Sequence, residues 1–422
     1  MARTGIRKTA LSLAVAGVFA GGVSQAHASA FALIEQNASG LGNSYAGAAA
    51  AAEDASTIFY NPAGMSLLPA GMQVSAGLAL INLSAKFSDS GSTPGAGPRP
   101  LGNNGGNAGD LSAVPNVYFA MDVAPDWKVG VGVSVPFGLK TEYDPAWMGR
   151  FQAIKSDIKT YNINPSVSYK LDDKMSFGFG LNYQSIDAEF TNAVNLGVAE
   201  EMADIKAKDN SGWGFNLGAM FQLAPDTRLG VSYRSSIKYH LTGTATFSLN
   251  NPVPSTNVST DIKMPDSASI ALQHRLNPSW TLLADVSRTG WAKIKELKIE
   301  SDIGTLSTTP ENFRNTWRVG VGAIHRYNDA WSMKMGLAFD QSPVNDTDRT
   351  ARLPDNNRLW LSFGGQYKLS KDGTLDFGYA HLFIKDAPIN QLNPTPPANN
   401  GQLVGTYKGS VDIFGAQFAY RF

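Results

Sequence analysis

The chain has 422 residues, no cysteine, and basic and acidic side chains in balance, 35 Lys+Arg against 35 Asp+Glu. Zero net charge removes the electrostatic footprint of a nucleic-acid binder, and the lack of thiols removes disulfide staples, thiolate metal ligands and cysteine nucleophiles. Hydrophobic residues make up 43%, and many of the 42 glycines sit inside strand-like runs, where they weaken a soluble sheet but leave space in the lumen of a barrel.

In chain order, the first element is a leader. Arg3, Arg7 and Lys8 precede an apolar run over 10–22, and Ala26-His27-Ala28 forms a small-residue cleavage box. That order marks residues 1–28 as a secretory signal peptide, too short to span a bilayer as a helix, and makes Ser29 the expected mature N-terminus. No later stretch reaches the roughly 18 consecutive apolar residues of a transmembrane helix.

Residues 29–70 do not alternate. They hold a helix-prone run of small residues over 46–52, then Glu53-Asp54-Ala55-Ser56, then Phe59-Tyr60-Asn61-Pro62-Ala63-Gly64. Such a segment is too small to build its own core. A barrel much wider than about eight strands leaves internal space, so the expectation is a partly helical N-terminal hatch that plugs the lumen.

From 71 to 422 the chain repeats one theme. Fourteen alternating segments begin near residues 72, 113, 127, 151, 175, 211, 227, 259, 279, 315, 330, 357, 373 and 410. In the last, Phe414, Phe418 and Phe422 share one face while Ile413, Gln417 and Arg421 share the other. A period of two with one apolar face is a half-buried strand, which a soluble sandwich would also show. The connections decide. Every second one is short and polar, as at Ala124-Pro125-Asp126, Ala224-Pro225-Asp226, Tyr327-Asn328-Asp329 and Lys371-Asp372-Gly373, whereas those between, such as 88–110, are long. Alternating short and long connections with an even strand number describe an outer-membrane barrel with periplasmic turns and external loops. Trp127, Tyr169, Trp280, Trp331 and Phe422 lie beside the short turns, where an aromatic girdle belongs. The fold reading is therefore all-β: a 14-stranded antiparallel transmembrane barrel in the outer membrane of a Gram-negative cell.

The third strand, 127–143, carries a defect. Val129, Val131, Val133, Val135 and Phe137 read as its outward face, and Pro136 and Gly138 interrupt the other. Proline cannot donate to a ladder, and glycine in a strand marks a bend or bulge. Pro115 and Pro165 concentrate missing donors nearby, and an unpaired edge in lipid is costly unless it faces a cavity or a ligand path. The pattern leaves open whether Pro136 sits in the wall or at the outer rim. Further on, Val194, Leu196, Val198, Met202 and Ile205 lie among charged residues in the external loop 191–209. They suggest an amphipathic helix, suited to ligand capture together with loop 248–259 or serving only as a solvated surface.

Nothing reads as a catalytic, metal or cofactor site. Gly130-Val131-Gly132 and Gly178-Phe179-Gly180 lack the helix that a dinucleotide loop needs. His240, His274, His325 and His381 lie in separate strands without metal-ligand spacing. There is no nucleophile elbow and no P-loop, so neither an enzyme nor an energised pump is expected.

The run Ser39-Gly40-Leu41-Gly42-Asn43-Ser44-Tyr45-Ala46-Gly47, with Glu53-Asp54-Ala55-Ser56 and Asn61-Pro62-Ala63-Gly64, resembles the N-terminal signature of the long-chain fatty-acid transporter (FadL) family. The resemblance continues through Val114-Pro115-Asn116, Ala338-Phe339-Asp340-Gln341-Ser342-Pro343-Val344, Leu353-Pro354-Asp355 and Arg358-Leu359-Trp360-Leu361-Ser362 to the terminal Phe422. It implies a barrel blocked by a hatch, carrying Gly40, Gly42, Asn61, Pro62 and Ala63, whose N-terminus near Phe31 shifts to open the path. It also implies passive uptake of hydrophobic compounds, with lateral exit at an aromatic-Gly kink that Phe137-Gly138 matches. Fatty-acid carriers of the family hold the carboxylate with basic residues, yet 187–192 and 307–310 contain no Lys or Arg. Arg288 and Lys298 are the nearest head-group candidates, with Lys293 beside them. The ligand thus stays open between a long-chain fatty acid and an uncharged aromatic or aliphatic hydrocarbon. A general porin, an outer-membrane lipase and an adhesin are further alternatives. Expected partners are the hydrophobic small molecule, outer-membrane lipid and lipopolysaccharide, with no cofactor, metal or nucleic acid, around a monomer.

Overall fold

The computed structural model describes residues 30–97, 99–197, 199–248, 255–392 and 400–422; the signal-peptide reading of 1–28 and the residue Val198 lie outside these. Fourteen strands cross the barrel: β1 (Met72–Asp89), β2 (Leu111–Ala124), β3 (Trp127–Ser134, then Gly138–Glu142), β4 (Lys155–Lys170), β5 (Met175–Asn195), β6 (Glu200–Ala224), β7 (Thr227–Arg234, then Ile237–Phe247), β8 (Thr256–Met264, then Ser267–Asn277), β9 (Trp280–Thr289), β10 (Thr316–Arg326), β11 (Trp331–Asp340), β12 (Arg358–Lys368), β13 (Gly373–Ile384, then Ala387–Leu392) and β14 (Gln402–Arg421). A small external hairpin, Glu296–Ser301 with Gly304–Pro310, rises between β9 and β10. Each strand pairs antiparallel with the next, and β14 returns to β1 from Gln73↔Arg421 to Asp89↔Gly405. Closure leaves no edge, which is what a hydrocarbon environment demands of a sheet.

The alternation works as read. On β11, Met333, Met335, Leu337 and Phe339 are exposed to the surroundings while Lys334, Ala338 and Asp340 are buried in the lumen. Near the short turns, Trp127 packs on Tyr169 at 4.6 Å and Trp331 on Tyr367 at 4.7 Å, forming the girdle.

The expectation for the external loop fails. Among its described residues, loop 191–209 forms no helix. Instead β5 and β6 run on as a long hairpin, with Phe190↔Ile205 and Val194↔Glu201 in register. Its side chains repeat every two residues: Ala203, Ile205 and Ala207 are buried, and Lys206 and Lys208 on the other face are exposed. Continuing a ladder already begun supplies backbone partners at once, whereas an isolated short helix must nucleate.

Residues 30–68 fill the lumen. They comprise α1 (Ala48–Ala51), α2 (Thr57–Tyr60) and two 3-10 turns, Leu41–Asn43 and Pro62–Leu67. Strand glycines make the fit. A Cβ at Gly230 would stand 1.9 Å from the Ala49 carbonyl oxygen, and one at Gly336 would stand 2.1 Å from the Asn43 carbonyl carbon. The hatch backbone thus rests directly on the wall, in space that any larger residue would occupy.

Polar contacts then fix it. The Asn61 side chain caps Ala63 N at 3.1 Å and donates to the carbonyls of Ala49, Ala219 and Val231 at 2.7, 3.1 and 3.3 Å. Lys334 Nζ reaches Glu53 at 2.7 Å, Asp376 at 3.2 Å, and both Oγ and O of Ser39 at 2.7 and 3.0 Å.

Candidate functional site, a broken wall and the chamber behind it

The wall is interrupted at β3. Pairing with β2 ends at Val117↔Val133, and residues 111–116 of β2 pair with β1 alone. On the other side the ladder jumps from Ser134↔Asn162 to Gly138↔Lys159. Three residues of β3 therefore face two of β4. An inserted residue bends a strand and leaves its backbone unpaired, and Pro136 has no N–H to offer.

The bulge also reverses the side-chain parity. Val135 and Phe137, read from the sequence as outward, are buried at 0% and 8% exposure, and the Phe137 ring lies 6.2 Å from Phe31 and 6.3 Å from Trp291. Pro136 stands opposite the middle of β4, in the wall rather than at the rim.

The N-terminal residues cover the gap. Leu33 N donates to Pro136 O and Gly138 N donates to Phe31 O, each at 2.8 Å, with Ala32 and Phe137 as bridge partners. Gln36 supplies both halves of an amide pair to Val135, donating to its carbonyl at 2.8 Å and accepting from its N–H at 3.2 Å. Thr160 Oγ1 accepts from Phe137 N at 2.9 Å. Residues 31–36 thus act as a short substitute strand, so Phe31, Pro136, Phe137 and Gly138 come together as one seal. Within this segment lies Glu35, fully buried, with no hydrogen-bond partner for either carboxylate oxygen. Burial pushes its pKa up to about 7, with the help of Asp340 and against its own backbone amide and the pull of Arg358 and Arg318.

Behind the seal lies a chamber of about 180 Å³. Leu33, Ile34, Phe59, Pro136 and Phe137 form an apolar side, while Ser267, Ser287, Thr289, Asp285, Arg234 and Arg318 form a polar one. Arg318 pairs with Asp285 at 3.3 Å and donates to Ser44 O.

Above the chamber the lumen is lined by an apolar cluster that includes Ile158, Ile186, Phe190, Ile205, Leu241, Phe313 and Leu353. A cation reaches its edge. Arg352, from the loop 341–357, donates to Asn192 Oδ1 at 3.2 Å and Lys155 O at 3.1 Å and lies 5.2 Å from the Phe190 ring centre. Burial lowers its pKa to about 10, so it remains charged. The carboxylate whose field it feels is Glu311, raised to about 8 by burial.

Among the expected site residues, Gly40, Gly42, Asn61, Pro62 and Ala63 sit within the plug: a Cβ on Gly42 would meet Gly364 Cα at 2.8 Å, and Ser176 Oγ donates to Ala63 O at 3.1 Å. Val194, Leu196 and Met202 surround the tip of the β5–β6 hairpin, and Ile205 joins the apolar cluster. Arg288 falls in step with the outward Leu282 and Val286, and Lys298 is exposed on the external hairpin, ion-paired with Glu300. Neither lines the chamber. The cations at the chamber are Arg234 and Arg318, and Arg352 stands at the edge of the apolar upper lumen.

Residues 19–422 match the profile of the outer membrane protein transport protein family (OMPP1/FadL/TodX). The chain belongs to this family. It is a FadL-type outer-membrane transport protein and not an enzyme. It is 28% identical over 452 residues to the long-chain fatty acid transport protein of Salmonella typhi, covering 100% of this chain and 99% of that one. It is also 28% identical over 459 residues to outer membrane protein P1 of Haemophilus influenzae, covering 98% of each. Among solved structures, a Pseudomonas aeruginosa FadL homologue superposes with a TM-score of 0.86 at 23% identity, over 93% of this chain and 100% of that one. The Pseudomonas putida toluene transporter TodX gives 0.69 at 17%, over 94% and 100%. At these identities the two structures speak for the FadL fold alone.

Proposed function

We propose that this protein admits long-chain fatty acids across the outer membrane by diffusion, through capture at the external hairpins, passage down the apolar upper lumen, and lateral release at the break in β3. The observation that carries this reading is the gap in the wall, closed by the chain's own N-terminal residues and backed by a chamber. An open polar gap in lipid is expensive, and a removable cover is the economical way to keep one. No energy-coupling motif is visible in the sequence, so the gradient is the driving force.

Fatty acid is favoured over uncharged hydrocarbon by Arg352. It places a guanidinium beside Phe190, at the level where the sequence lacks any basic residue, and its neighbour Glu311 is neutral below about pH 8. A carboxylate docked there gains charge-assisted hydrogen bonds. The long-chain fatty acid transport proteins among the relatives point the same way. The test is uptake of labelled oleate and labelled toluene by cells lacking their own carrier. Oleate uptake is expected to depend on the protein and to fall in Arg352→Gln while toluene entry does not change. Protein-dependent entry of toluene without oleate would establish the hydrocarbon reading instead. Sustained ion conductance of the wild-type protein in planar bilayers would favour a porin.

A further inference from the structure

We propose that Arg234 is an anion-binding group in the chamber behind the β3 break, a station distinct from the upper lumen. It receives the carboxylate of an amphipathic ligand last, so that the apolar tail enters the membrane first. The inference rests on the uptake reading above.

Of the two cations that line the chamber, charge balance singles this one out. Arg318 pairs with Asp285, Lys334 with Glu53 and Asp376, and Arg358 with Asp355. Arg234, on the inward face of β7, has no carboxylate partner among the described residues. It donates to two neutral acceptors, the Phe59 carbonyl at 2.8 Å and the Asn182 amide oxygen, and its guanidinium carbon lies 4.3 Å from the Phe59 ring centre. A cation partly shielded from water and lacking a counter-charge is costly to hold, and an arriving anion relieves that cost. The guanidinium has five N–H donors in a fixed fork. With two taken, enough remain for a carboxylate, for which this fork is the matched receptor.

Its surroundings set the ligand's direction. Arg234 lines the same chamber as Pro136 and Phe137, and Ser267, its register partner on β8, adds a hydroxyl on the polar side. At the chamber's other cation, Arg318, the carboxylate Asp285 already occupies the charge, so an anion is directed to Arg234. The volume of about 180 Å³ is below the roughly 300–1,000 Å³ of pockets that enclose a drug-sized ligand. It accommodates a head group and the first carbons only. The rest of a long tail must lie along the apolar side, which leads to the break. Tail-first exit follows, with the head held until the tail is in lipid.

The test uses the full-length protein in cells and in detergent, with oleate and oleyl alcohol as probes of identical tail and different charge. Arg234→Gln is expected to lower protein-dependent oleate uptake about tenfold, the order of one lost charge-assisted hydrogen bond, and to change oleyl alcohol uptake less than twofold. Equilibrium binding of oleate in detergent should stay within about twofold, because capture occurs at the upper lumen. Arg234→Lys, which keeps the charge, should recover part of the oleate rate. An equal fall for both probes would show a packing role and overturn the proposal, as would unchanged oleate uptake. A wild-type protein that moves neither probe would overturn the uptake reading itself.

Discussion

Replacing Lys334 by methionine should loosen the plug more than any other single change at its surface. Lys334 has a side-chain exposure of 2% and Asp376 of 1%, so the exchange keeps the volume and removes only the charge. Asp376 then remains buried without a cation, the partly exposed Glu53 loses its ion pair, and Ser39 loses two hydrogen bonds. Breaking a buried pair from one side costs about 3–5 kcal/mol, which multiplies the undocked fraction of the plug by roughly 10² to 4 × 10³. Planar-bilayer conductance and protease cleavage within residues 30–70 report that fraction. The wild type should be closed and resistant, K334M should open intermittently and be cut, and the triple variant K334M/E53Q/D376N should be closed again. A K334M protein as closed and resistant as wild type would refute the reasoning, and a triple variant as leaky as K334M would refute its electrostatic basis.

Other outcomes follow from the same contacts. Glu35 has a folded pKa of about 7 against 4.5 for an ordinary glutamate. It therefore destabilises the folded state progressively as pH rises between those values, by ~3 kcal/mol once above both; below 4.5 it is protonated in both states and adds no penalty. Glu35→Gln should match wild type in thermal unfolding near pH 4 and exceed it near pH 8, and parallel curves would count against the assignment. Glu311, raised to about 8, should ionise above that pH and compete for Arg352, weakening oleate binding measured by calorimetry in wild type but not in Glu311→Gln. Gly230→Ala would set a methyl 1.9 Å from the Ala49 carbonyl oxygen. The overpacking costs about 1–3 kcal/mol and should raise protease sensitivity of the plug, whereas Gly373→Ala, whose nearest neighbour is the Ser370 hydroxyl at 3.3 Å, should not.

The barrel was legible because lipid imposes a strict rule. Each crossing must alternate, and short turns must alternate with long loops, so Met333 to Phe339 and Phe414 to Phe422 declared their faces. The defect in β3 was legible from Pro136, but its consequence was not. One inserted residue flips the parity of Val135 and Phe137, and the insertion exists only relative to the register of β4. The β5–β6 hairpin was missed because a few apolar residues among charges satisfy periods of 2 and 3.6 alike, and the ladder below decided between them. Arg352 could not be found by proximity, since it comes from a loop 160 residues beyond Asn192. Arg234 did carry a signal, being two positions from Ser232 and out of step with the outward Val231 and Tyr233; an arginine on the lumen side of a barrel strand was worth marking.

The central claim is that the N-terminal residues must leave the β3 break for ligand to pass. Ala32 and Phe137 are bridge partners flanked by the Leu33–Pro136 and Phe31–Gly138 hydrogen bonds, a non-hydrogen-bonded antiparallel pair with Cα atoms roughly 4.5 Å apart. That spacing suits a disulfide, and the cysteine-free chain makes the double variant Ala32→Cys/Phe137→Cys unambiguous. Oleate uptake should stop when this pair is oxidised and return on reduction. Equal uptake in the two states would show that the seal need not open.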